Sequence, residues 1–175
     1  MEFIRIAGEH SVQQDLTVIN PSGDRHNCGN CAVAYAMRRQ GFDVEAKVDE
    51  KGLSFKELAD MFDGVSIQYP EILTASEEMQ DVVQKVEQDI LTWGEGANGA
   101  IRGQWIDAPE LEAGHLFSVE VSEGKVIFVD GQSNDGDVKN YLEAMTPSSI
   151  VYGRLDKAMP NDNVKRAVKV REITK

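Results

Sequence analysis

The chain has 175 residues, enough for one domain that buries about two-thirds of its unfolded surface without disulfides or metals. Its net charge of −12 disfavours nucleic acid and acidic membranes as partners, because both attract Lys and Arg rather than carboxylates. No stretch approaches the roughly 20 consecutive apolar residues of a membrane span, and the N-terminus lacks the apolar core and cleavage site of a secretory signal. We therefore predict a single soluble domain over residues 1–175 that is cytoplasmic or is delivered by a specialised route.

The first half of the chain carries mainly helical patterns. A polar loop, "PSGDRHN", leads into residues 28–41, where strong helix formers such as Ala32 precede Gly41, which ends the predicted helix. Arg38 and Arg39 are expected on the solvated face of this helix. "FDVEA" follows it as a short predicted strand.

Two capping-box patterns mark further helices. Ser54 with Glu57 starts one helix over "SFKELADMF", and Thr74 with Glu77 precedes a longer one that ends near "DILTW". Apolar residues recur at helical spacing in the longer segment, which predicts an amphipathic helix that covers one face of the fold. These apolar residues are Met79, Val82, Val83, Val86 and Ile90.

The second half of the chain has mainly strand patterns. "GAIRGQWI" and "SSIVYGRLD" are predicted strands, and "HLFSVEVSEGKVIFVDGQ" is a predicted hairpin that turns near Glu123 and Gly124. "NDNVKRAVKVREI" is predicted as a closing helix, and Trp93 and Trp105 are expected in the core or at its rim. Helices followed by an antiparallel sheet indicate an α+β protein.

Cys28 and Cys31 are the only cysteines, and they open the predicted helix within "HNCGNC". Three chemistries suit such a pair: a metal site, a redox dithiol or a nucleophile. A zinc site would use both thiols with His26 and His115, but the closely spaced second ligand pair that is usual in structural zinc sites is absent. A redox pair at a helix start usually follows a buried strand, and here the entry is a polar turn.

A nucleophilic cysteine at a helix N-terminus benefits from the helix dipole, which stabilises a thiolate, and from free N–H groups that can hold an oxyanion. It also needs a histidine and a polar residue that orients this histidine. His115 starts the predicted hairpin, and the expected register places the opposite residue near position 131, so that Asp130 or Gln132 comes within reach. The pattern favours a Cys–His–Asp arrangement and leaves open which thiol attacks.

The stretches "NCGNCAVAYAMRRQGFDVEA" and "GHLFSVEVSEGKVIFVDGQ" resemble the papain-fold toxin domain described as a glutamine deamidase. In that family an Asn-Cys-x-x-Cys stretch opens the helix, a Gly-His-x-Phe-x-Val strand supplies the base, and an Asp-Gly-Gln strand end supplies the third residue. The resemblance covers roughly residues 15–155. The Arg-Arg-x-Gly-Phe-Asp-Val-x-Ala continuation is most similar to copies associated with phage minor head proteins.

This resemblance implies an α+β, papain-like fold with an N-terminal catalytic helix and further helices packed on an antiparallel sheet. It also implies a catalytic set of Cys28, His115 and Asp130, with Cys31 as the alternative nucleophile. The implied reaction is deamidation of glutamine side chains on a protein substrate through a thioester, without a metal or an organic cofactor.

Two neighbouring residues, Asn27 and Gln132, are expected to contact the substrate or the oxyanion, or to give polar support. Besides the protein substrate, the resemblance suggests an immunity protein or a phage head protein as partner, and a delivered or virion-associated protein. Two alternatives stay open at this point. The first alternative is a papain-like cysteine protease or isopeptidase. The second is a non-enzymatic, phage-associated structural or interaction module.

Overall fold

The computed structural model describes residues 3–49, 51–72, 77–107 and 113–172. The α-helices in these ranges are α1 (Val12–Val18), α2 (Cys28–Arg39), α3 (Phe55–Ala59) and α4 (Met79–Leu91). The strands are β1 (Val44–Ala46), β2 (Phe62–Asp63), β3 (Asn98–Gln104), β4 (Gly114–Ser122), β5 (Lys125–Val129), β6 (Val151–Arg154), β7 (Met159–Pro160) and β8 (Val168–Val170). Short 3₁₀ helices cover Lys139–Ala144, Pro147–Ser149 and Asp162–Arg166. None of the helices in the described ranges is long and apolar enough to cross a membrane.

The central sheet is antiparallel and has the strand order β5-β4-β3-β6. The β4–β5 hairpin turns at Glu123 and Gly124, whose positive φ angles of 53° and 73° suit a tight two-residue turn. Smaller antiparallel pairs join β1 to β8 and β2 to β7. Helices placed mainly before this sheet confirm the predicted α+β class, and the predicted hairpin and its turn are confirmed as well.

Helix α2 lies buried at the centre of the packing. Its alanines allow close approach from several sides, and Ala32, Ala34 and Ala36 are all buried. In its first turn, a Cβ on Gly29 would come within 2.5 Å of the Leu53 Cβ, so that only glycine fits there without a shift. The helix contacts α1, β1 and β4. This packing fixes where the N-terminus of α2 lies relative to β4.

Alternate side chains of β4 belong to two separate hydrophobic clusters. Leu116 joins the cluster around α2, whereas Phe117 joins the cluster around α4, because successive residues of a strand point to opposite faces of the sheet. In α4 the buried residues are Val82, Val86 and Ile90, which confirms the predicted amphipathic helix that covers one face. The central sheet is therefore covered by α2 on one face and by α4 on the other.

Two helix starts differ from the sequence patterns. The patterns did not predict α1, which forms because Ser11 and Gln14 make a reciprocal capping box and Leu16 is buried. The predicted cap Thr74 lies outside the described residues, and α4 begins at Met79.

The predicted closing helix is wrong beyond its first turn. Asn161 caps the 3₁₀ helix Asp162–Arg166 by accepting a hydrogen bond from the Asn163 N–H, and the chain then enters β8. All three residues of β8 pair with β1: Val168 lies opposite Ala46, Lys169 opposite Glu45, and Val170 opposite Val44. The backbone N–H and C=O groups at the edge of β1 need hydrogen-bond partners, and a strand can supply them. The two valines are β-branched, which also favours a strand here over another helical turn.

Arg38 and Arg39 belong to a buried network of charges, so the prediction of a solvated face is wrong. The Arg38 Nε lies 2.9 Å from the Asp15 Oδ1, and the Arg39 Nη1 lies 2.8 Å from the Asp15 Oδ2. Arg39 also reaches Glu120 on β4, with Nε 2.8 Å from Oε1. The His10 Nδ1 lies 2.6 Å from the Asp15 Oδ2. The network joins α1, α2 and β4, and it could not be foreseen because its central carboxylate lies on the helix that the sequence patterns did not reveal.

We predict that Asp15→Ala destabilises the fold by about 3–5 kcal/mol, because it removes the buried carboxylate that Arg38 and Arg39 share and leaves each guanidinium group with fewer anionic partners. Lys56→Ala is the matched control, since it breaks the exposed Lys56–Asp60 pair and costs less than about 1 kcal/mol. Urea unfolding followed by circular dichroism measures both free energies. Equal losses in the two variants would contradict the prediction.

Candidate active site

Cys28 is the first residue of α2 and is half-buried. The preceding residue, Asn27, occupies the N-cap position but makes no side-chain capping bond to the helix. The N–H groups of the first helical turn therefore remain directed beyond the helix end, where the positive end of the helix dipole also lies. A thiolate and an oxyanion on its substrate are both stabilised by this placement.

His115 reaches the helix end from β4, where it lies opposite Gly103 of β3. Aromatic rings enclose its imidazole: Trp105 stacks on it at a centroid distance of 6.0 Å, and Phe117 does so at 5.9 Å. Tyr141 presents its ring edge-on at 5.3 Å. These contacts restrict rotation of the imidazole and exclude water from much of its surface.

Asp130 follows β5 directly and contacts the imidazole. Its Oδ2 lies 2.8 Å from the His115 Nε2, and the carboxylate is only 2% exposed. The Gln132 N–H donates to its other oxygen at 2.9 Å, and the Tyr141 hydroxyl donates to Oδ2 at 2.9 Å. Because Nε2 faces Asp130, Nδ1 is the ring nitrogen left for the thiol of Cys28.

The charges of Cys28 and His115 support each other. Burial acts to raise the pKa of the Cys28 thiol, but the hydrogen bond and the positive charge of His115 outweigh it, and the pKa lies below its ordinary value. Burial acts to lower the pKa of His115, but Asp130 and Cys28 raise it to about 9. Burial would also raise the pKa of Asp130, yet its bond to His115 holds that pKa below the usual range. The arrangement thus favours a thiolate next to an imidazolium.

Cys31 lies one helical turn further along and has a different environment. It is only 2% exposed, and burial, with the nearby negative charge of Asp130, raises the pKa of its thiol far above the ordinary value. Its Sγ donates a weak hydrogen bond to the Asn27 Oδ1 at 3.5 Å. Both cysteines are free thiols. Of the two, Cys28 is the one placed for nucleophilic chemistry.

Asn27 and Gln132 also lie at this site and contact each other. The Gln132 Nε2 is 3.4 Å from the Asn27 Oδ1, and Gln132 is partly exposed. The amide of Asn27 is fully buried and donates to the Asn20 Oδ1 and to the Lys47 carbonyl, both at 3.0 Å. Asn27 therefore braces the loop before α2, whereas Gln132 retains a surface that a substrate can reach.

The four residues considered for zinc do not come together. His26 has 81% of its side chain exposed and contacts Asp24, away from the pair formed by Cys28 and His115. Within the described part of the chain, no group of three or more His, Cys, Asp or Glu side chains is arranged to hold a metal ion.

Tyr141 is the site residue that the sequence patterns missed, and Trp105 was expected only in the core or at its rim. Tyr141 lies on the 3₁₀ helix Lys139–Ala144, in a stretch without strand or helix periodicity. The position of Trp105, directly after β3, gave no indication that its ring would lie on His115. Neither contact follows from a local pattern, because each depends on how distant segments fold back onto β4.

We predict that iodoacetamide alkylates Cys28 at neutral pH and spares Cys31, because only Cys28 has a partner that stabilises its thiolate. His115→Ala removes that partner while burial persists, and should slow the alkylation of Cys28 on the order of tenfold or more. His26→Ala, a matched change at an exposed histidine, should leave the rate unchanged. Mass spectrometry of the labelled peptides measures both sites; faster labelling of Cys31 would contradict the prediction.

The fold is similar to that of solved bacterial effectors. Two variants of the Salmonella effector SpvD superpose with TM-scores of 0.59 and 0.55, at 16% and 17% sequence identity. In each case the match covers 87% of this chain and 82% of the effector. At such low identity the likeness concerns the fold alone. No curated protein sequence matches this chain.

The sequence model of a family described as papain fold toxin 1, glutamine deamidase, matches residues 26–135. This range is more than half of the chain, and it includes both cysteines, His115 and Asp130. The match and the likeness to SpvD confirm the predicted papain-like α+β fold. The family match does not bear on the resemblance to phage-associated copies, which stays a prediction. The chain belongs to the papain-fold toxin family of glutamine deamidases, a group of cysteine-dependent hydrolases.

Proposed function

We propose that this protein, acting as a single domain, deamidates glutamine side chains of a target protein by cysteine catalysis. Cys28 is the nucleophile, His115 is the general acid and base, and Asp130 orients His115. One observation carries the proposal: a thiol of lowered pKa and a histidine of raised pKa lie together at the N-terminus of a buried helix. Family membership supports an amide of glutamine as the group attacked and a protein as the substrate.

In the first half of the reaction, the Cys28 thiolate adds to the side-chain carbonyl carbon of the substrate glutamine. The N–H groups of the first turn of α2 stabilise the negative charge that develops on the carbonyl oxygen. The C–N bond then breaks, and the imidazolium of His115 gives its proton to the departing nitrogen, which leaves as ammonia. A thioester between Cys28 and the former glutamine remains.

In the second half, water attacks the thioester. His115, now neutral, takes a proton from this water, and the C–S bond breaks as the tetrahedral species collapses. The product is a glutamate side chain, and the thiolate and the imidazolium are restored. Throughout both halves Asp130 keeps its carboxylate on Nε2, so that the other ring nitrogen stays directed at the sulfur.

Cys31 is a weaker candidate for the nucleophile. Its thiol is buried and has a strongly raised pKa, so that almost no thiolate forms near neutral pH. Cys31 instead packs as a small apolar side chain in the hydrophobic cluster around α2. Its bond to Asn27 connects it to the loop that carries Cys28.

The same pair would also serve a cysteine protease or isopeptidase, since those enzymes attack a carbonyl of the same kind. Family membership favours the deamidase, and the products distinguish them: the protease cuts a chain, whereas the deamidase releases ammonia and leaves the chain whole. We further propose that the protein is delivered as an effector, because the structurally similar SpvD is described as a Salmonella effector. An immunity protein or a phage head protein as partner, and a non-enzymatic role, stay predictions.

We predict that ammonia is released from a panel of glutamine-containing proteins by the wild type and by Cys31→Ala, and that Cys28→Ala lowers the rate at least about a thousandfold. The two substitutions form a matched pair, since both remove one thiol from the same helix. Mass spectrometry of the treated proteins locates each glutamine converted to glutamate. Retained activity in Cys28→Ala, or cleaved chains without conversion, would contradict the proposal.

The activity should depend on pH in a bell-shaped manner. The thiolate is present above the lowered pKa of Cys28, and the imidazolium is present below the pKa of His115 at about 9, so that kcat/KM rises through the first value and falls through the second.

Asp130→Asn removes the carboxylate that raises the pKa of His115, and therefore moves the alkaline limb to lower pH. Asp60→Asn, on the exposed surface, is the matched control and should keep the wild-type profile. An alkaline limb that stays in place in Asp130→Asn would contradict the assignment of that limb to His115.

A further inference from the structure

We propose that Tyr141 is a positioning residue whose hydroxyl holds the carboxylate of Asp130. By sharing the negative charge of this carboxylate, the hydroxyl makes His115 release its proton more readily. This inference rests on the proposed function, because it concerns the acid that delivers a proton to the departing amide nitrogen, which leaves as ammonia. The Tyr141 hydroxyl donates to the Asp130 Oδ2 at 2.9 Å, and the same oxygen lies 2.8 Å from the His115 Nε2. Two donors thus share one carboxylate oxygen.

The segment that carries the Tyr141 hydroxyl is fixed to the rest of the fold. Tyr141 lies on the 3₁₀ helix Lys139–Ala144, which begins after Val138, and the Val138 N–H donates to the Phe128 carbonyl of β5 at 2.9 Å. Val138 and Leu142 on either side of Tyr141 are buried in the cluster around α4. The position of the hydroxyl is therefore set by the fold and not by the carboxylate alone.

A second donor on Oδ2 changes the proton affinity of the pair. A hydrogen bond to a carboxylate stabilises its charged form and lowers its attraction for a proton held by a neighbour. Without the Tyr141 hydroxyl, the negative charge of Asp130 would act more fully on the imidazolium, and the pKa of His115 would rise. An imidazolium that holds its proton more tightly is a weaker general acid toward the departing nitrogen.

The aromatic ring of Tyr141 has a separate role, which allows the hydroxyl to be tested alone. The ring packs edge-on against His115 at 5.3 Å, Phe117 at 5.5 Å and Trp105 at 5.7 Å. Tyr141→Phe keeps this packing and removes only the donor. Tyr152→Phe is a matched control on β6, because it removes a buried hydroxyl that donates to the Asp89 Oδ2 at 2.6 Å, outside the site.

The experiment follows the rate of Cys28 alkylation by iodoacetamide as a function of pH, in the intact protein. The rate rises when the thiolate forms and rises again when the imidazolium loses its proton, because a thiolate without a cationic partner is the stronger nucleophile. The second inflection therefore reports the pKa of His115. It requires no amide substrate.

In Tyr141→Phe we expect the second inflection to move upward by about half a pH unit or more, and in Tyr152→Phe we expect no change. In an Asp130→Asn background the substitution of Tyr141 should have no further effect, because the hydroxyl acts through the carboxylate. An unchanged inflection in Tyr141→Phe, a shift to lower pH, or an equal shift in the Asp130→Asn background would overturn the proposal. So would failure of Tyr141→Phe to unfold cooperatively, since a tuning residue is not required for folding.

The alkylation profile also separates this inference from the proposed function. If no glutamine of any tested protein is converted, yet the inflection of Tyr141→Phe moves as expected, the deamidase proposal fails and the role of Tyr141 stands. If glutamine is converted by the wild type and the inflection does not move, the role of Tyr141 fails alone. Where a substrate is found, Tyr141→Phe should lower kcat and leave KM nearly unchanged.

Discussion

Helix α2 and strand β4 are joined by polar contacts near both ends of the helix, and the site depends on this double attachment. Toward the C-terminal end, Glu120 accepts hydrogen bonds from the Tyr35 hydroxyl and the Arg39 guanidinium, each at 2.8 Å. At the N-terminal end, Cys28 meets His115. The eleven residue steps from Cys28 to Arg39 span about 16 Å of helix, and the five steps from His115 to Glu120 span about 17 Å of strand. These two lengths match, so that the contact of Arg39 with Glu120 at one end of the helix also brings Cys28 to His115 at the other end.

This match gives the buried charges a role in register. A helix of small apolar residues on a sheet could pack in several positions at similar cost, because apolar contacts are not directional. Arg39 and Glu120 restrict that choice, since a slip of one residue along β4 would break the ion pair between these two buried side chains. Asp15 adds a third element by joining α1 to the same end of α2. Because α2 is rigid, the contacts at its C-terminal end also fix the position of the Cys28 thiol at its N-terminal end.

Local sequence signals predicted much of the fold and of the site. The turn at Glu123 and Gly124 sets the hairpin register, and this register brings Asp130 next to His115. The start of α2 follows from the loop before it and the helix formers after it. Tyr141 and the strand β8 could not be foreseen in this way. Each is determined by the surface that it meets, an open strand edge for β8 and a buried carboxylate for Tyr141, and neither surface exists until distant parts of the chain have assembled.

The two thiols show why burial alone does not decide reactivity. Cys28 and Cys31 lie on the same helix, both are largely removed from water, and for both the first effect of burial is to oppose the thiolate. Cys28 overcomes it because a cation stands next to the sulfur, and that cation persists because Asp130 stands behind it. Cys31 donates to the amide oxygen of Asn27, which accepts a hydrogen bond but cannot stabilise a negative charge. The chain Tyr141–Asp130–His115 therefore favours a thiolate at Cys28, whereas the charge of Asp130 opposes one at Cys31. The choice between the thiols is made by the strand and the 3₁₀ helix that face the helix end rather than by the helix that carries both.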